Sequence, residues 1–201
     1  MSRIPVALVS LLFLFGTACA PRAIRGGPGT DNPAMDEAAM SVLLDRADIE
    51  YLVGENLGPL YQSRFWAQDV EGTPGQPLVA IWPIQNATTQ HIDDQMLTVL
   101  SSIETNLVNS GAVRVVDRAR QEALAREIGI QQSDLYDPAS ARRLGRQLGA
   151  QYFVTGKVTS VEEKIDRARR VQYTLFLQVV EIETGLIKFQ HESARSKALK
   201  R

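Results

Sequence analysis

Residues 78–117 read LVAIWPIQNATTQHIDDQMLTVLSSIETNLVNSGAVRVVD, and the order of element types within this stretch decides the fold class. Leu78, Val79, Ala80, Ile81 and Trp82 make a short, nearly all-apolar run, the composition of a strand buried on both faces. Pro83 stands near its end, where a missing backbone donor is tolerated. Asp93 reads as the N-cap of a helix whose buried stripe is Met96, Leu100, Ile103 and Leu107, with Gly111 suited to its left-handed terminus. Val113, Val115 and Val116 then form a second short strand. A strand, one crossover helix and another strand within about 40 residues is the βαβ signature of a parallel pair.

Working outward toward the carboxyl end, Asp117 is placed to cap a second helix carrying Ala123, Leu124 and Ile128. Asp137, with Pro138 at the first helical position, opens a third that closes at Gly149. Three strands are expected next, over residues 152–161, 171–182 and 186–191, the last two joined by Glu183, Thr184 and Gly185 as a tight hairpin. Val171, Tyr173, Leu175, Leu177 and Val179 recur at period two and so share the face that meets the helices. The expected fold is α/β, a mixed four- or five-stranded sheet packed with helices.

Working toward the amino end, residues 71–77 are a Gly- and Pro-rich connector. Before them, Ile49, Leu52, Val53, Leu57, Leu60 and Tyr61 recur at three- and four-residue steps, predicting a helix from about Asp48 that Gly58 and Pro59 bend or break. Residues 20–33 hold almost nothing apolar and read as a flexible tether. At the start, Arg3 precedes an apolar run of about 12 residues, against the roughly 20 that cross a bilayer. Gly16, Thr17 and Ala18 then lead directly to Cys19, the single cysteine of the chain. This is the pattern of a signal peptide ending in a lipobox, with lipid carried on the Cys19 sulfur. Ala20, rather than an aspartate, follows it and points to the periplasmic face of the outer membrane. The expected organisation is therefore a signal peptide over 1–18, a lipidated cysteine and tether over 19–46, a helix and connector over 47–77, an α/β binding domain over 78–195 and a basic tail over 196–201.

Composition excludes several classes of function. With 22 Lys and Arg against 23 Asp and Glu among 201 residues, no basic excess calls for nucleic acid. His91 and His191 have no second histidine or cysteine at metal-binding spacing, so no metal site, catalytic cluster, cofactor or small-molecule substrate is expected. The sequon at Asn86, Ala87 and Thr88 reads as a chance match. Two charged features remain. Glu162, Glu163, Lys164, Asp166, Arg167, Arg169 and Arg170 read as a solvated hairpin loop. On the third helix, Ala141, Leu144 and Leu148 define a buried line while Arg142, Arg143 and Arg146 fall roughly opposite at about 100° per residue, giving a basic face for an acidic partner.

Taken in order, several segments resemble the LpoB family of penicillin-binding-protein activators. They are Val79-Ala80-Ile81 with Gln85-Asn86-Ala87-Thr88, Gln90-His91-Ile92-Asp93, Ser110-Gly111 with Val115-Val116-Asp117-Arg118, Asp137-Pro138-Ala139, the run from Leu144 through Gly149 to Tyr152, and Glu183-Thr184-Gly185. The resemblance covers about residues 48–192. It implies an outer-membrane lipoprotein without catalysis of its own, whose fold is similar to the amino-terminal domain of TolB and whose partner is a class A penicillin-binding protein, a bifunctional peptidoglycan synthase. The tether departs from the long Pro-rich linker of the best-known members: 25 to 30 residues at roughly 3.4 Å each reach at most about 100 Å. The alternative is a CsgG-like secretion component, which would need additional amphipathic strand pairs.

Overall fold

The computed structural model describes residues 26, 29–35, 37–39, 41–131, 134, 137–165 and 168–200. The segment read as a signal peptide, Cys19 and Ala20 lie outside them. Contacts divide the chain at residue 36, and the fold described below belongs entirely to the unit that begins at Glu37.

The first helix, α1, runs Arg46–Tyr61 and starts with reciprocal capping: Asp45 Oδ1 accepts from the Asp48 amide at 3.0 Å, and Asp48 Oδ2 accepts from the Asp45 amide at 3.1 Å. Pro59 does not break it. The proline falls in the last turn, above exposed Glu55, while Leu57 and Leu60 are 2% and 1% exposed and hold that turn to the core. A π-helical turn follows at Trp66–Val70, where Trp66 stacks edge-on against Tyr61 at 4.7 Å.

The βαβ unit forms as expected. Strand β1 is Leu78–Ile81, α2 is Asp93–Ser110 and β3 is Arg114–Val115, with Leu78 opposite Arg114 in a parallel pair. Helix α2 begins one residue earlier than the composition suggests: buried Ile92 is the N-cap, and Asp93 and Asp94 occupy the first turn, where the helix dipole favours them. Gly111 closes the helix at φ 67°. Between β1 and α2, the short strand β2 at Gln85–Asn86 resumes pairing with the same neighbour after Trp82, Pro83 and Ile84 interrupt it.

Helix α3 is Arg118–Glu127, and α4 is Pro138–Leu148, capped by Asp137 and closed by Gly149 at φ 71°. On α3 the buried positions are Gln121 and Ala125; Ala123, expected inside, is exposed, and Leu124 and Ile128 are half-buried. The inward line is displaced because Gln121 Nε2 donates to the Val116 carbonyl at 2.9 Å, tying that face to the strand end.

Three long strands complete the sheet: β4 Tyr152–Ile165, β5 Ala168–Glu181 and β6 Ile187–Lys200. The order is β3-β1-β4-β5-β6, with β2 also on β4; β1 pairs parallel to β3 and β4, and the β4-β5-β6 ladders are antiparallel. All three strands outrun the lengths that hydrophobic alternation predicts, at 14 residues or roughly 45 Å each. Residues 196–200 of the span read as a basic tail belong to β6, and residues 162–165 and 168–170 of the run read as a hairpin loop are a paired ladder.

Two cores lie on opposite sheet faces. One gathers α1, α2, Val79, Val154 and the period-two set Val171, Tyr173, Leu175, Leu177 and Val179; the other gathers α3, α4, Ala80, Trp82, Phe153, Val180 and Ile182. Helix α1 is thus part of the domain core, so the boundary expected at residue 78 does not separate packing units.

Candidate partner-binding surface

Three surfaces carry chemistry, and the first joins α1 to β6. Lys197, 8% exposed, donates its three ammonium hydrogens to the Leu43 carbonyl at 2.8 Å, Asp45 Oδ2 at 2.5 Å and Asp48 Oδ2 at 2.8 Å. Arg195 reaches Asp48 Oδ1 at 3.1 Å, and its guanidinium carbon lies 4.5 Å from the Tyr51 ring centre. Nearby, Asn56 Nδ2 donates to Ser193 Oγ at 2.6 Å and to the Leu52 carbonyl at 2.9 Å. Burial opposes ionisation of Asp45, but its bonds to Lys197 and to the Asp48 amide outweigh burial and hold its pKa below the ordinary aspartate value. For Lys197 burial again opposes charge, and the two carboxylates win, raising its pKa. This network is structural. It docks a helix on a strand whose inward residues are polar.

The second surface is the far end of the β4-β5 ladder. Arg169 donates to both oxygens of Glu162, at 2.6 and 2.8 Å, and Arg170 Nη1 lies 3.2 Å from Glu163 Oε2. These are cross-strand neighbours, Glu162 opposite Val171 and Glu163 opposite Arg170, so the mixed-sign run exists to pair across a hairpin. Asp166 and Arg167 lie outside the described residues. The Arg169 bonds hold the Glu162 carboxyl below its usual range. Exposed Val161 and Leu199 sit near these pairs on the strands.

The third is α4. Arg143 and Arg146 are exposed, on the outward side opposite Ala141, Leu144 and Leu148, which are buried. Arg142 departs from the expected trio. It is half-buried, its guanidinium stands 3.3 Å from where a Cβ on Gly185 would be, and it lines a concavity of about 210 Å³ with Asp137, Thr155 and Gln178. Its place is the cleft between the helix and the β5-β6 turn. The backbone amide of Ser140, followed by its hydroxyl, holds the Asp137 carboxyl below its usual value, with Arg142 adding to the effect.

Of the two histidines, His91 is exposed in the loop before α2, while His191 is half-buried on β6, stacked at 6.4 Å on Phe189. Among the described residues, no group of three His, Cys, Asp or Glu could hold a metal ion. The Asn86 amide of the sequon is used locally: Nδ2 donates to the Gln90 carbonyl at 2.9 Å, and Oδ1 accepts from the Thr88 amide at 3.0 Å.

The family model for the peptidoglycan-synthase activator LpoB matches residues 48–194, from the first turn of α1 to within β6. The chain belongs to the LpoB family. The solved carboxyl-terminal domain of LpoB from Salmonella enterica superposes with a TM-score of 0.56 at 17% identity, covering 74% of this chain and 98% of that domain. That of Escherichia coli LpoB superposes at 0.54 with 17% identity, covering 75% and 99%. At such identity the likeness establishes a shared fold, and it extends over essentially the whole of both solved domains. No individually curated protein sequence matches this one. The family assignment does not favour the secretion-component alternative.

Proposed function

We propose that this protein is a lipoprotein of the outer membrane, held at the periplasmic face by lipid on Cys19, whose LpoB domain binds a class A penicillin-binding protein and stimulates peptidoglycan synthesis without catalysing it. The observation that carries the reading is the extent of the family match: residues 48–194 run from the first turn of α1 into β6 and so reach all four helices and every strand of the described fold. The lipobox supports the anchor, and among the described residues no helix is long and apolar enough to cross a membrane. Activation by docking needs an accessible surface rather than a reactive cleft. Arg143 and Arg146 on α4 supply charge that steers association with an acidic patch on the synthase.

The test is reconstitution. A purified class A synthase polymerises glycan from its lipid-linked precursor with and without the lipidated protein in detergent. Faster polymerisation, together with retention of the synthase by the immobilised protein, is the expected outcome. An unchanged rate and no retention with any class A synthase of the same envelope would reject the reading.

A further inference from the structure

The chain joins the fold at one end of the blade that β4, β5 and β6 form. Ahead of α1, Val42 and Leu44 are buried, the Tyr173 hydroxyl donates to the Val42 carbonyl at 3.1 Å, and the Lys197 ammonium donates to the Leu43 carbonyl at 2.8 Å. Residues 42–44 are thereby strapped to the strands at the row where Lys197 faces Val171. Beyond that row the ladder runs on to Ile165, Ala168 and Lys200, so that three further rows, roughly 10 Å, project past the strap. The chain that leads back toward Cys19 departs beside this tip. Helix α4 lies at the other end: it packs on Ile182, just past β5, with Gly145 so close that a Cβ would meet the Ile182 Cδ1 at 2.5 Å.

The tip carries apolar side chains with nothing over them. Leu43, Val161 and Leu199 are 51%, 61% and 44% exposed. Single apolar residues on a surface are ordinary, but these three fall within about 10 Å of one another along the strand direction. Leu43 is on the strap, Leu199 is two residues past Lys197 on the face that α1 covers, and Val161 is on the opposite face, in the row of Gln172 and Ser196. They ring the end of the blade instead of forming a patch on one face, which suits end-on entry into a soft surface better than a flat protein contact. Charge does not oppose that entry. Glu162 and Glu163 are paired with Arg169 and Arg170, and Lys164 makes no ion pair with a described residue.

We propose that this tip is a membrane contact: Leu43, Val161 and Leu199 enter the boundary between headgroups and acyl chains of the bilayer that holds the lipid on Cys19, with Lys164 among the lipid phosphates. The inference rests on the lipid anchor proposed above. Three side chains alone bind a bilayer weakly, and the covalent lipid supplies the local concentration that makes the contact persist. The domain then stands on its tip, with the Arg143 and Arg146 face of α4 at the end away from the bilayer.

The single cysteine of the chain allows the anchor to be rebuilt chemically. Cys19 of the mature protein is coupled to a maleimide-bearing phosphatidylethanolamine in vesicles of phosphatidylethanolamine and phosphatidylglycerol. Part of that lipid is brominated on the upper acyl chain and quenches tryptophan on contact. Val161→Trp reports on the tip and Gln147→Trp, at an exposed position of α4, on the other end; Trp66 and Trp82 are buried, and the parent protein gives their background. Bromolipid should remove at least about half of the Val161→Trp signal and leave Gln147→Trp within about a tenth of its unquenched value. Adding Leu43→Glu and Leu199→Glu to the tip reporter should abolish its quenching with an unchanged melt, since both positions are exposed. Equal quenching of the two reporters, or none of Val161→Trp, overturns the tip contact, and so does quenching that survives both Glu changes in a protein that melts normally. The coupling replaces acylation by the cell, so these outcomes judge the tip alone, while palmitate labelling judges the anchor.

Discussion

Lys197 concentrates the residue-scale energetics of this domain. All three of its donors end on acceptors of the segment that caps α1, and Asp48, 3% exposed, relies on it for one of its carboxylate partners. Lys197→Met should therefore cost about 3 kcal/mol, because removing one member of a buried ionic network leaves the other charge desolvated. Arg195 still reaches Asp48, so the loss should fall short of complete unfolding; chemical denaturation of the variant measures it. Gly156 is constrained differently. A Cβ there would stand 2.3 Å from the Phe176 carbonyl oxygen on β5, and backbone cannot swing aside as a side chain can. Gly156→Ala should destabilise by about 1–3 kcal/mol, seen as a lower Tm; an unchanged Tm would mean that the ladder opens there freely.

At the scale of elements, β5 is paired along nearly its whole length on both sides, to β4 and to β6. Leu177 is fully buried on its inward face, and Leu177→Ala should cost about 2–5 kcal/mol, lost apolar contact and residual cavity together. For α4 the expectation is the opposite: a change in function without a change in fold. Arg143→Glu with Arg146→Glu alters only exposed positions, so the melt should stay within about 0.5 kcal/mol of wild type, while association with the synthase slows and its dependence on salt weakens or inverts. Binding at two ionic strengths decides this, and unaltered association would move the interface toward the Glu162 and Arg169 end of the blade. Arg142 is left out of the pair because it leans on the Gly185 turn, and its loss would confuse packing with docking.

The whole molecule should show a stability plateau bounded on both sides of neutrality. Asp45 has a lowered pKa, so its contribution is present above the unfolded aspartate value of about 4 and is lost as pH falls through the lower folded value. Lys197 is raised: its contribution is complete below about 10.4 and disappears as pH climbs through the folded value. Tyr61, Tyr152 and Tyr173, each raised first of all by burial, add to the alkaline decline, since the unfolded chain releases those protons earlier. Unfolding free energies from pH 3 to 11 should thus be flat from about 5 to 9 and fall outside that range. Lys197→Met should remove part of the alkaline slope. On the proposed reading lipid on Cys19 is the anchor of the entire chain: Cys19→Ser should then leave the protein unlabelled by radioactive palmitate and displaced from the membrane fraction, because acylation needs the thiol.

How much of this was legible in sequence differs by element. In β1, α2 and β5 each inward position carries an apolar side chain, so period alone revealed which faces are buried; Asp117, Asp137, Gly111 and Gly149 marked helix ends because caps act within a few residues. Family membership was legible for the same reason, in short motifs at turns and strand ends. What the chain order could not disclose was the second half of β6. Its inward residues are Ser193, Arg195 and Lys197, none of them apolar, and they become a strand face only when α1 brings Asp45, Asp48 and Asn56 to meet them from about 140 to 150 residues away. The charged run at 162–170 misled in the same way, its signs pairing across a hairpin rather than facing water alone. Local pattern determines an element when burial is apolar; where burial is polar, the partner must be in place before the pattern has a meaning, and only the tertiary structure supplies it.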